Sequence, residues 1–330
     1  QKRATGLPTP DLFAIIEDGA PEPGDREVLV STIYVSADPG MKGWISMARN
    51  YNSVETGSTM HSFGTGVVVE SRHPDVAVGD ILNGRTGWQA YAILKPDDPG
   101  CRKINPADGP MSTSLGVLGV NGITAYFGLL DVGRPQAGET VVVSTAAGAV
   151  GSAVGQIAKI KGCRTVGIAG GSEKTGLCRE VFGYNAAIDY KAAGTLDAGL
   201  RAACPDGIDV YYDNVGGATL DTILGLMNVG GSIVICGTAA TESWDPPPFG
   251  PRVERALLVS RLRMQGFLLF DYTARFEEAL ADLRQWVADG RIAYREDIVD
   301  GLENASAALA GLYEGHNTGR QLIRVRPEPG

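Results

Sequence analysis

The chain has 330 residues, which is long for one hydrophobic core, so we expect two domains. Its composition, 44% hydrophobic and 20% charged, is that of an ordinary globular protein. The formal net charge of −9 argues against binding to nucleic acids or anionic membranes, because both need an extended basic face.

Residues 1–115 are rich in glycine, proline and short apolar runs. Short strands separated by turn residues predict an antiparallel, partly open β-barrel. The runs that carry this prediction are REVLVSTIYVS, GTGVVVES, GDILNG and QAYAIL.

Strands and helices alternate in the middle of the chain, after a helical segment over 114–133. Near-continuous Val/Ile strands between helices predict a parallel sheet covered on both faces, as in a doubly wound Rossmann domain. The strands are expected at 140–145, 164–170, 186–190, 208–217, 231–237 and 263–270.

The C-terminal part has a helical pattern over 276–292 that ends at a glycine, followed by a last helix and strand. We expect this tail to return to the first domain. The predicted division is therefore a β-rich domain of residues 1–115 and 271–330, with a nucleotide-binding domain of residues 116–270 inserted into it.

The segment VVVSTAAGAVGSAVGQ nearly matches the dinucleotide fingerprint G-x-G-x-x-G. Gly148 and Gly151 keep the second and third glycines, while Ala146 replaces the first; a small residue still makes that turn if its φ is negative. The helix then presents the amides of Ala149 and Val150 to a diphosphate. The alternative is a glycine packing turn in another α/β sheet, but the strand–turn–helix context favours a dinucleotide.

The end of the second strand distinguishes NAD from NADP. An NAD site places Asp or Glu there, whereas this chain has small residues at 169–171. Ser172 and Lys174 suit a 2′-phosphate, and Tyr190 at the end of the third strand adds a hydroxyl. Lys174 is alternatively a solvated lysine, and Glu173 must point away. The pattern predicts NADP(H).

No metal-ligand pattern is present. The three histidines are far apart, no cysteine lies in 1–100, and the five cysteines form no C-x-x-C pair, which also argues against a disulfide framework. Without a Lewis acid, hydride must reach a carbon whose charge is delocalised, such as a double bond conjugated to a carbonyl. We also expect no export signal and no membrane span, and hence a cytoplasmic location.

Several motifs together resemble the zinc-independent branch of the medium-chain dehydrogenase/reductases. Within it, they resemble the alkenal/one double-bond reductases, which include prostaglandin reductase, plant double-bond reductases and bacterial curcumin reductase. The resemblance implies a GroES-like catalytic domain, a Rossmann domain, NADPH and a homodimer. The motifs are AAGAVGSAVGQIAKIKGC, AGGSEK, YYDNVGG, GGSIVICG, RLRMQGF and EGHNTGRQLIRV.

The resemblance implies roles for individual positions. Gly148 to Gly151 match the diphosphate turn, and Lys174 and Tyr190 match the 2′-phosphate contacts. Without the family resemblance, Asn214 would be interpreted as a turn residue at a strand end and Asn317 as a loop residue. The further cofactor positions are Asn214, Cys236 and Gly237 along strand ends, Phe267 and Leu269 beside the nicotinamide, and Asn317 from the catalytic domain.

Three tyrosines common in the family are absent, since Gly40, Phe63 and Glu242 stand at their positions. The remaining phenol is Tyr51, which resembles a tyrosine of the bacterial members and is the candidate donor to a substrate carbonyl; it is alternatively a half-buried loop aromatic. The expected pocket residues are Trp44, Phe63, Glu242, Trp244 and Phe249.

The sequence therefore predicts NADPH-dependent reduction of the α,β double bond of enones or 2-alkenals by metal-free hydride transfer. Two alternatives remain open at this stage. One is an NADPH quinone oxidoreductase on the same scaffold. The other is a protein that binds NADPH without catalysing a reaction.

Overall fold

The computed structural model describes residues 2–46, 52–192, 194–244, 246 and 248–329. Its strands are β1 (Val28–Ser36), β2 (Gly64–Ser71), β3 (Ile81–Gly84), β4 (Tyr91–Leu94), β5 (Arg102–Lys103), β6 (Thr140–Ser144), β7 (Arg164–Ala169), β8 (Ala186–Asp189), β9 (Ile208–Asp213), β10 (Met227–Ile235), β11 (Arg263–Gly266), β12 (Glu296–Asp300) and β13 (Arg320–Arg324).

The α-helices are α1 (Met41–Ile45), α2 (Val120–Phe127), α3 (Ala149–Ile160), α4 (Ser172–Glu180), α5 (Leu196–Ala203), α6 (Gly217–Leu224), α7 (Glu254–Ser260), α8 (Phe276–Ala288) and α9 (Ala305–Glu314). A π-helical turn, Gly128–Gly133, extends α2. Short 3-10 segments lie at Pro10–Leu12, Pro106–Asp108, Met111–Leu115, Leu269–Arg275 and Leu302–Asn304. No helix in the described part of the chain has the length and apolar character needed to cross a membrane.

The first compact unit comprises residues 1–119 and 296–330. Its sheet has the strand order β12-β13-β1-β2-β3-β5, with β4 also paired to β1. All of its pairs are antiparallel except β12 with β13. Two register shifts between β1 and β2 bend the sheet, as β-bulges do. One apolar cluster lies between these strands and is formed by Val28, Val30, Val68, Val76, Leu82 and Leu94.

The second unit, residues 120–295, contains a six-stranded parallel sheet in the order β11-β10-β9-β6-β7-β8. Counted from β6 as the first strand, this is the doubly wound order 3-2-1-4-5-6, so the predicted fold class is confirmed. The order reverses between β6 and β9, where Val142 lies opposite Tyr211. In such sheets the ligand crevice lies beyond the carboxyl ends of the strands at this reversal.

The boundary of the second unit differs from the one expected from the sequence, because residues 271–295 belong to this unit. Helix α8 buries one apolar face there, and the Tyr126 hydroxyl in α2 donates to Asp282 at 2.9 Å. The side-chain amide of Gln156 in α3 forms two hydrogen bonds with the backbone of Ala293, at 2.7 and 2.8 Å. Of the expected tail, residues 296–330 lie in the first unit, and they contain β12, α9 and β13.

All five cysteines are free thiols, and all of them are buried or half-buried. Burial raises the pKa of Cys101, Cys163, Cys204 and Cys236 to about 11 and that of Cys178 to about 12. The thiols therefore stay protonated at neutral pH.

Helix α3 packs closely on the ring of Tyr184, and this contact requires a glycine. A Cβ atom at Gly155 would lie 2.1 Å from Tyr184 Cζ, and the buried Tyr184 hydroxyl donates to Gly151 O at 2.6 Å. We predict that Gly155→Ala lowers the free energy of unfolding by about 1–3 kcal/mol, because overpacking outweighs the better helix propensity of alanine. Urea denaturation followed by circular dichroism measures the change.

Gly176→Ala in α4 is the matched control. Its Cβ would have only one neighbour, the Glu180 carboxylate at 3.9 Å. Alanine there should be neutral or stabilise by about 0.5–1 kcal/mol. Equal stability of the Gly155 and Gly176 variants would show that Tyr184 adapts without cost.

Candidate functional site

The predicted cofactor residues of the second unit follow the carboxyl ends of its six strands. Adjacent strands lie about 4.8 Å apart, so this row extends over about 24 Å along one edge of the sheet. The structure thus brings these residues to a common edge. In spatial order they are Phe267 after β11, Cys236 and Gly237 after β10, Asn214 after β9, Gly148 after β6, Ser172 after β7 and Tyr190 after β8.

The turn after β6 forms without the first glycine of the fingerprint. The residue of this turn with a positive φ, 53°, is Thr145, so Ala146 does not need a positive φ. Ala146 is fully buried, and its amide donates to Ile168 O at 3.0 Å. A Cβ atom at Gly167 of β7 would lie 2.8 Å from the Ala146 side chain, so the missing glycine is compensated by one on the neighbouring strand.

Gly148 and Gly151 bring the N-terminus of α3 close to the strand end. A Cβ atom at Gly151 would lie 2.3 Å from Thr145 O, and one at Gly148 would lie 2.9 Å from Thr145 Cγ2. Gly148 is the N-cap of α3, and no side chain of the described residues caps the helix. The first-turn amides, including those of Ala149 and Val150, are therefore suited to an anion.

The turn after β7 and the end of β8 form a second cluster. Gly171 precedes α4 with a φ of 89°, followed by the exposed Ser172 and the half-buried Lys174. A Cβ atom at Gly170 would lie 3.0 Å from both Tyr190 Cε1 and Lys191 Cε. The glycine therefore lets the Tyr190 and Lys191 side chains lie over the turn that leads into Ser172 and Lys174.

A carboxylate that the sequence reasoning missed lies at this cluster. Asp189 Oδ1 accepts the amide of Gly171 at 2.8 Å and the amide of Lys191 at 2.9 Å. These amides hold the pKa of the Asp189 carboxyl below its usual range, so it is ionised at neutral pH. Its place at a strand end, followed by a turn, is the sequence signal of a side chain that bonds to nearby backbone.

Asn214 is held in one orientation at the reversal of strand order. Its amide donates to Ser144 Oγ at 2.8 Å, and its side-chain Nδ2 donates to Ser144 O at 2.7 Å. The amides of Cys236 and Gly237 donate to Asp213 O at 2.8 and 3.0 Å. A Cβ atom at Gly237 would lie 2.8 Å from Asn214 O, so a glycine is required there.

A buried carboxylate supports this arrangement. Asp213 is fully buried, and its Oδ1 accepts from Tyr211 Oη (2.9 Å), Val215 N (2.9 Å), Gly216 N (2.8 Å) and Ser144 Oγ (3.3 Å). Burial raises the pKa of Asp213, and the amide hydrogen bonds oppose that rise. Sequence reasoning missed Asp213 and Ser144, although Asp213 lies inside the quoted motif YYDNVGG.

The aromatic ring of Phe267 packs within the second unit. A Cβ atom at Gly128 would lie 2.6 Å from Phe267 Cζ, and the ring meets Tyr272 edge-on at 6.2 Å. Leu269 is half-buried at the start of the adjacent 3-10 segment. The ring therefore fixes the segment that follows β11.

The candidate residues of the first unit are Trp44, Phe63 and Asn317, while Tyr51 lies outside the described residues. Trp44 is only 5% exposed and belongs to an apolar core cluster. Phe63 is half-buried, with the guanidinium carbon of Arg85 5.9 Å from its ring centre. Asn317 Nδ2 donates to Gly319 O at 2.8 Å, which fixes the turn before β13.

The other expected pocket residues lie in the second unit and are exposed there. Trp244 is 53% exposed and Phe249 fully so, and Glu242 is exposed as well. The structure does not bring these residues into the core of their unit. Their role in a pocket stays a prediction.

A buried ion pair in the first unit fixes the segment DPGM, residues 38–41. Arg320 binds both carboxylate oxygens of Asp38, and Ser36 Oγ donates to the same carboxylate at 2.6 Å. The Tyr313 hydroxyl donates to Pro39 O. These contacts hold the segment between β1 and α1, and the sequence reasoning did not identify them.

Metal-ligating side chains are dispersed. In the parts of the chain that the structure describes, no group of three or more His, Cys, Asp or Glu residues is placed to hold a metal ion. His73 pairs with Asp97 at 3.2 Å, and His316 with Glu314 at 3.2 Å. Burial lowers the pKa of His61.

The chain is similar to known oxidoreductases. Residues 1–104 match the family described as the N-terminal domain of oxidoreductases, and residues 149–285 match the family described as zinc-binding dehydrogenases. The chain is 44% identical to the NADPH-dependent curcumin reductase of Escherichia coli, with 98% of this chain and 94% of the relative covered. It is 39% identical to the NADP⁺-dependent 2-alkenal reductase of Nicotiana tabacum, with 92% and 89% covered.

A solved structure is also similar over its whole length. The crystal structure of CurA from Vibrio vulnificus in complex with NADPH has a TM-score of 0.91 and 40% sequence identity to this chain. The match covers 99% of this chain and 98% of that one.

Proposed function

Because the chain belongs to the medium-chain dehydrogenase/reductase family, in the branch of the curcumin and alkenal reductases, we propose that it reduces the α,β double bond of enones and 2-alkenals with NADPH and without a metal. The protein is an NADP-dependent oxidoreductase. The observation that carries the proposal is the cluster after β7 and β8, where a glycine turn leads into Ser172 and Lys174 and Tyr190 lies beside Gly170 of that turn.

The residues present fit this cofactor. A diphosphate needs open backbone amides and no obstructing side chains, which the start of α3 supplies with Gly148 and Gly151. A 2′-phosphate needs cationic and hydroxyl donors, which Lys174, Ser172 and Tyr190 supply. A Cβ atom at Gly171 would meet nothing within 4 Å, so space remains beside the turn.

NADPH, when bound, supplies a hydride for the β-carbon of the substrate. The task of the chain is then to hold the substrate and stabilise the negative charge that develops on its carbonyl oxygen. We assign the hydrogen bond to that oxygen to the hydroxyl of Tyr51, and the α-carbon takes its proton from water or a hydroxyl group. Trp44, Phe63, Trp244, Phe249 and Glu242 are the proposed substrate contacts.

The test of this function is turnover on a panel of enones, 2-alkenals and quinones. NADPH deuterated at the transferred position should yield enone products with deuterium on the β-carbon and an intact carbonyl, and a chelator should leave the rate unchanged. Turnover of quinones alone would replace the proposal with quinone reduction. NADPH binding without any NADPH oxidation would identify a non-catalytic binding protein.

Lys174→Ala tests the cofactor assignment. Only NADPH carries the 2′-phosphate, so a lost charge-assisted contact of about 1.5–3 kcal/mol should weaken NADPH roughly tenfold to a hundredfold. NADH affinity should hardly change. Fluorescence titration of both cofactors measures the two dissociation constants.

Lys161→Ala is the matched control for Lys174→Ala. Lys161 is an exposed lysine of the same unit, and its ammonium lies 5.7 Å from the centre of the Trp286 ring. The Lys161→Ala variant should leave the affinities for NADPH and NADH unchanged. Equal losses of NADPH and NADH affinity in Lys174→Ala would remove the 2′-phosphate role.

Tyr51→Phe tests the proposed donor. Loss of a hydrogen bond that is stronger in the transition state should lower kcat and kcat/KM together, by roughly 10- to 1000-fold. A tyrosine that only packs should leave kcat within about twofold. The comparison requires hydride transfer to limit the rate, which a kinetic isotope effect with deuterated NADPH establishes.

Tyr91→Phe is the control for loss of a hydroxyl from the first unit. The Tyr91 hydroxyl accepts from Arg326 at 2.7 Å, and Tyr91 lies in β4. This variant should retain the parental kcat. A Tyr51 variant as fast as this control would transfer the role to another donor.

We also propose that the protein is a homodimer, as the family resemblance implies. In the second unit, α7 exposes Leu258 and Val259, and apolar side chains of this kind favour a protein interface. Helix α7 packs on β10, next to the edge strand β11. Sedimentation velocity distinguishes a dimer from a monomer.

A further inference from the structure

The cluster after β7 and β8 consists of two backbone segments that are far apart in sequence. Ser172 and Lys174 follow β7, whereas Tyr190 and Lys191 follow β8. A 2′-phosphate bound by both segments requires a fixed distance between them. Among the residues that the structure describes, one side chain bonds to both segments.

That side chain is Asp189. Its Oδ1 accepts the amide of Gly171 at 2.8 Å and the amide of Lys191 at 2.9 Å, so a single oxygen bridges the two segments. The strands themselves are paired in parallel up to Ala169 and Asp189, and the bridge therefore continues the pairing beyond the ladder. We propose that Asp189 is a positioning residue that sets the geometry of the 2′-phosphate site and thereby the preference for NADPH over NADH.

The turn needs such a support because it contains two adjacent glycines. Gly170 gives room to the side chains of Tyr190 and Lys191, and Gly171 has a φ of 89° that other residues rarely adopt. Two glycines leave the turn many conformations in the absence of a fixed contact. The bond from the Gly171 amide to Asp189, together with the bond from the Thr175 amide to Gly171 O at 3.1 Å, fixes the conformation that begins α4.

The use of a carboxylate for this role has a cost, because its charge repels a 2′-phosphate. Two features reduce that cost. Both amide hydrogen bonds go to Asp189 Oδ1, and the positive charge of Lys191 acts on the carboxylate. The benefit of Asp189 therefore comes from its position, and its charge acts against it.

This separation of position from charge gives a sharp test, which rests on the proposal that the cluster binds the 2′-phosphate. Asp189→Asn keeps an acceptor oxygen at the same place and removes the charge. Asp189→Glu keeps the charge and displaces the acceptor by one methylene. Asp189→Ala removes both.

We expect Asp189→Ala and Asp189→Glu to weaken NADPH binding roughly 5- to 50-fold and to change NADH binding little, because the 2′-phosphate site loses its preorganisation. Asp189→Asn should bind NADPH at least as tightly as the parent. Fluorescence titration gives the dissociation constants. Asp197→Ala, which removes an exposed carboxylate paired with Arg201 on α5, is the control and should change neither.

Hydrogen exchange of the cofactor-free protein provides a second measurement. The peptides that contain Gly171 and Lys191 should exchange faster in the Ala and Glu variants and at the parental rate in the Asn variant. This readout does not depend on cofactor binding, and Asp189→Glu serves where Asp189→Ala fails to fold.

Two results would overturn the inference. One is an unchanged ratio of NADPH to NADH affinity in both the Ala and Glu variants. The other is a loss in Asp189→Asn equal to that in Asp189→Ala. Lys174→Ala, titrated in parallel, separates this proposal from that of the 2′-phosphate site. If Lys174→Ala selectively lowers the affinity for NADPH and the Asp189 variants do not, the 2′-phosphate site stays in place and only the role of Asp189 is removed.

Discussion

The buried carboxylate of Asp213 is the constraint on which the second unit depends. A carboxyl group buried without solvent needs hydrogen bonds to offset its lost solvation, and here all of them go to Asp213 Oδ1. Here the donors are Ser144 at the end of β6, Tyr211 within β9 and two amides of the following turn. The carboxylate therefore joins the two strands between which the strand order reverses.

The consequences of this constraint extend along the sheet edge. Ser144, which donates to Asp213, also accepts the amide of Asn214. The backbone carbonyl of Asp213 accepts the amides that follow β10, and this brings Gly237 against Asn214. Three neighbouring strand ends are thus positioned by one residue and its direct partners.

Much of the fold could be predicted because its signals are local. The Val/Ile strands, the glycine-punctuated turn before α3 and the apolar face of α8 each lie within about a dozen residues, and the strand order then follows from known topology rules. The replacement of the first fingerprint glycine was also interpretable. Its compensation by Thr145 and Gly167 was not, because Gly167 lies on another strand.

The parts that could not be predicted depend on contacts between distant segments. The assignment of α8 to the second unit rests on α2 and on the bond between Gln156 and Ala293. The role proposed for Asp189 depends on its hydrogen bond to the amide of Gly171, which follows the neighbouring strand β7 and is 18 residues away in sequence. Trp44 was proposed as part of an apolar pocket wall, and its aromatic character does not reveal that its side chain also belongs to a core cluster.

The burial of the five thiols has a consequence for the proposed reduction of enones and alkenals. Such substrates are electrophiles that alkylate cysteine, and the reactive form is the thiolate. With pKa values of about 11 or 12, only about one thiol in ten thousand or fewer is ionised at pH 7. The same desolvation that packs these side chains thus keeps them in the thiol form, which is the less reactive one towards such electrophiles.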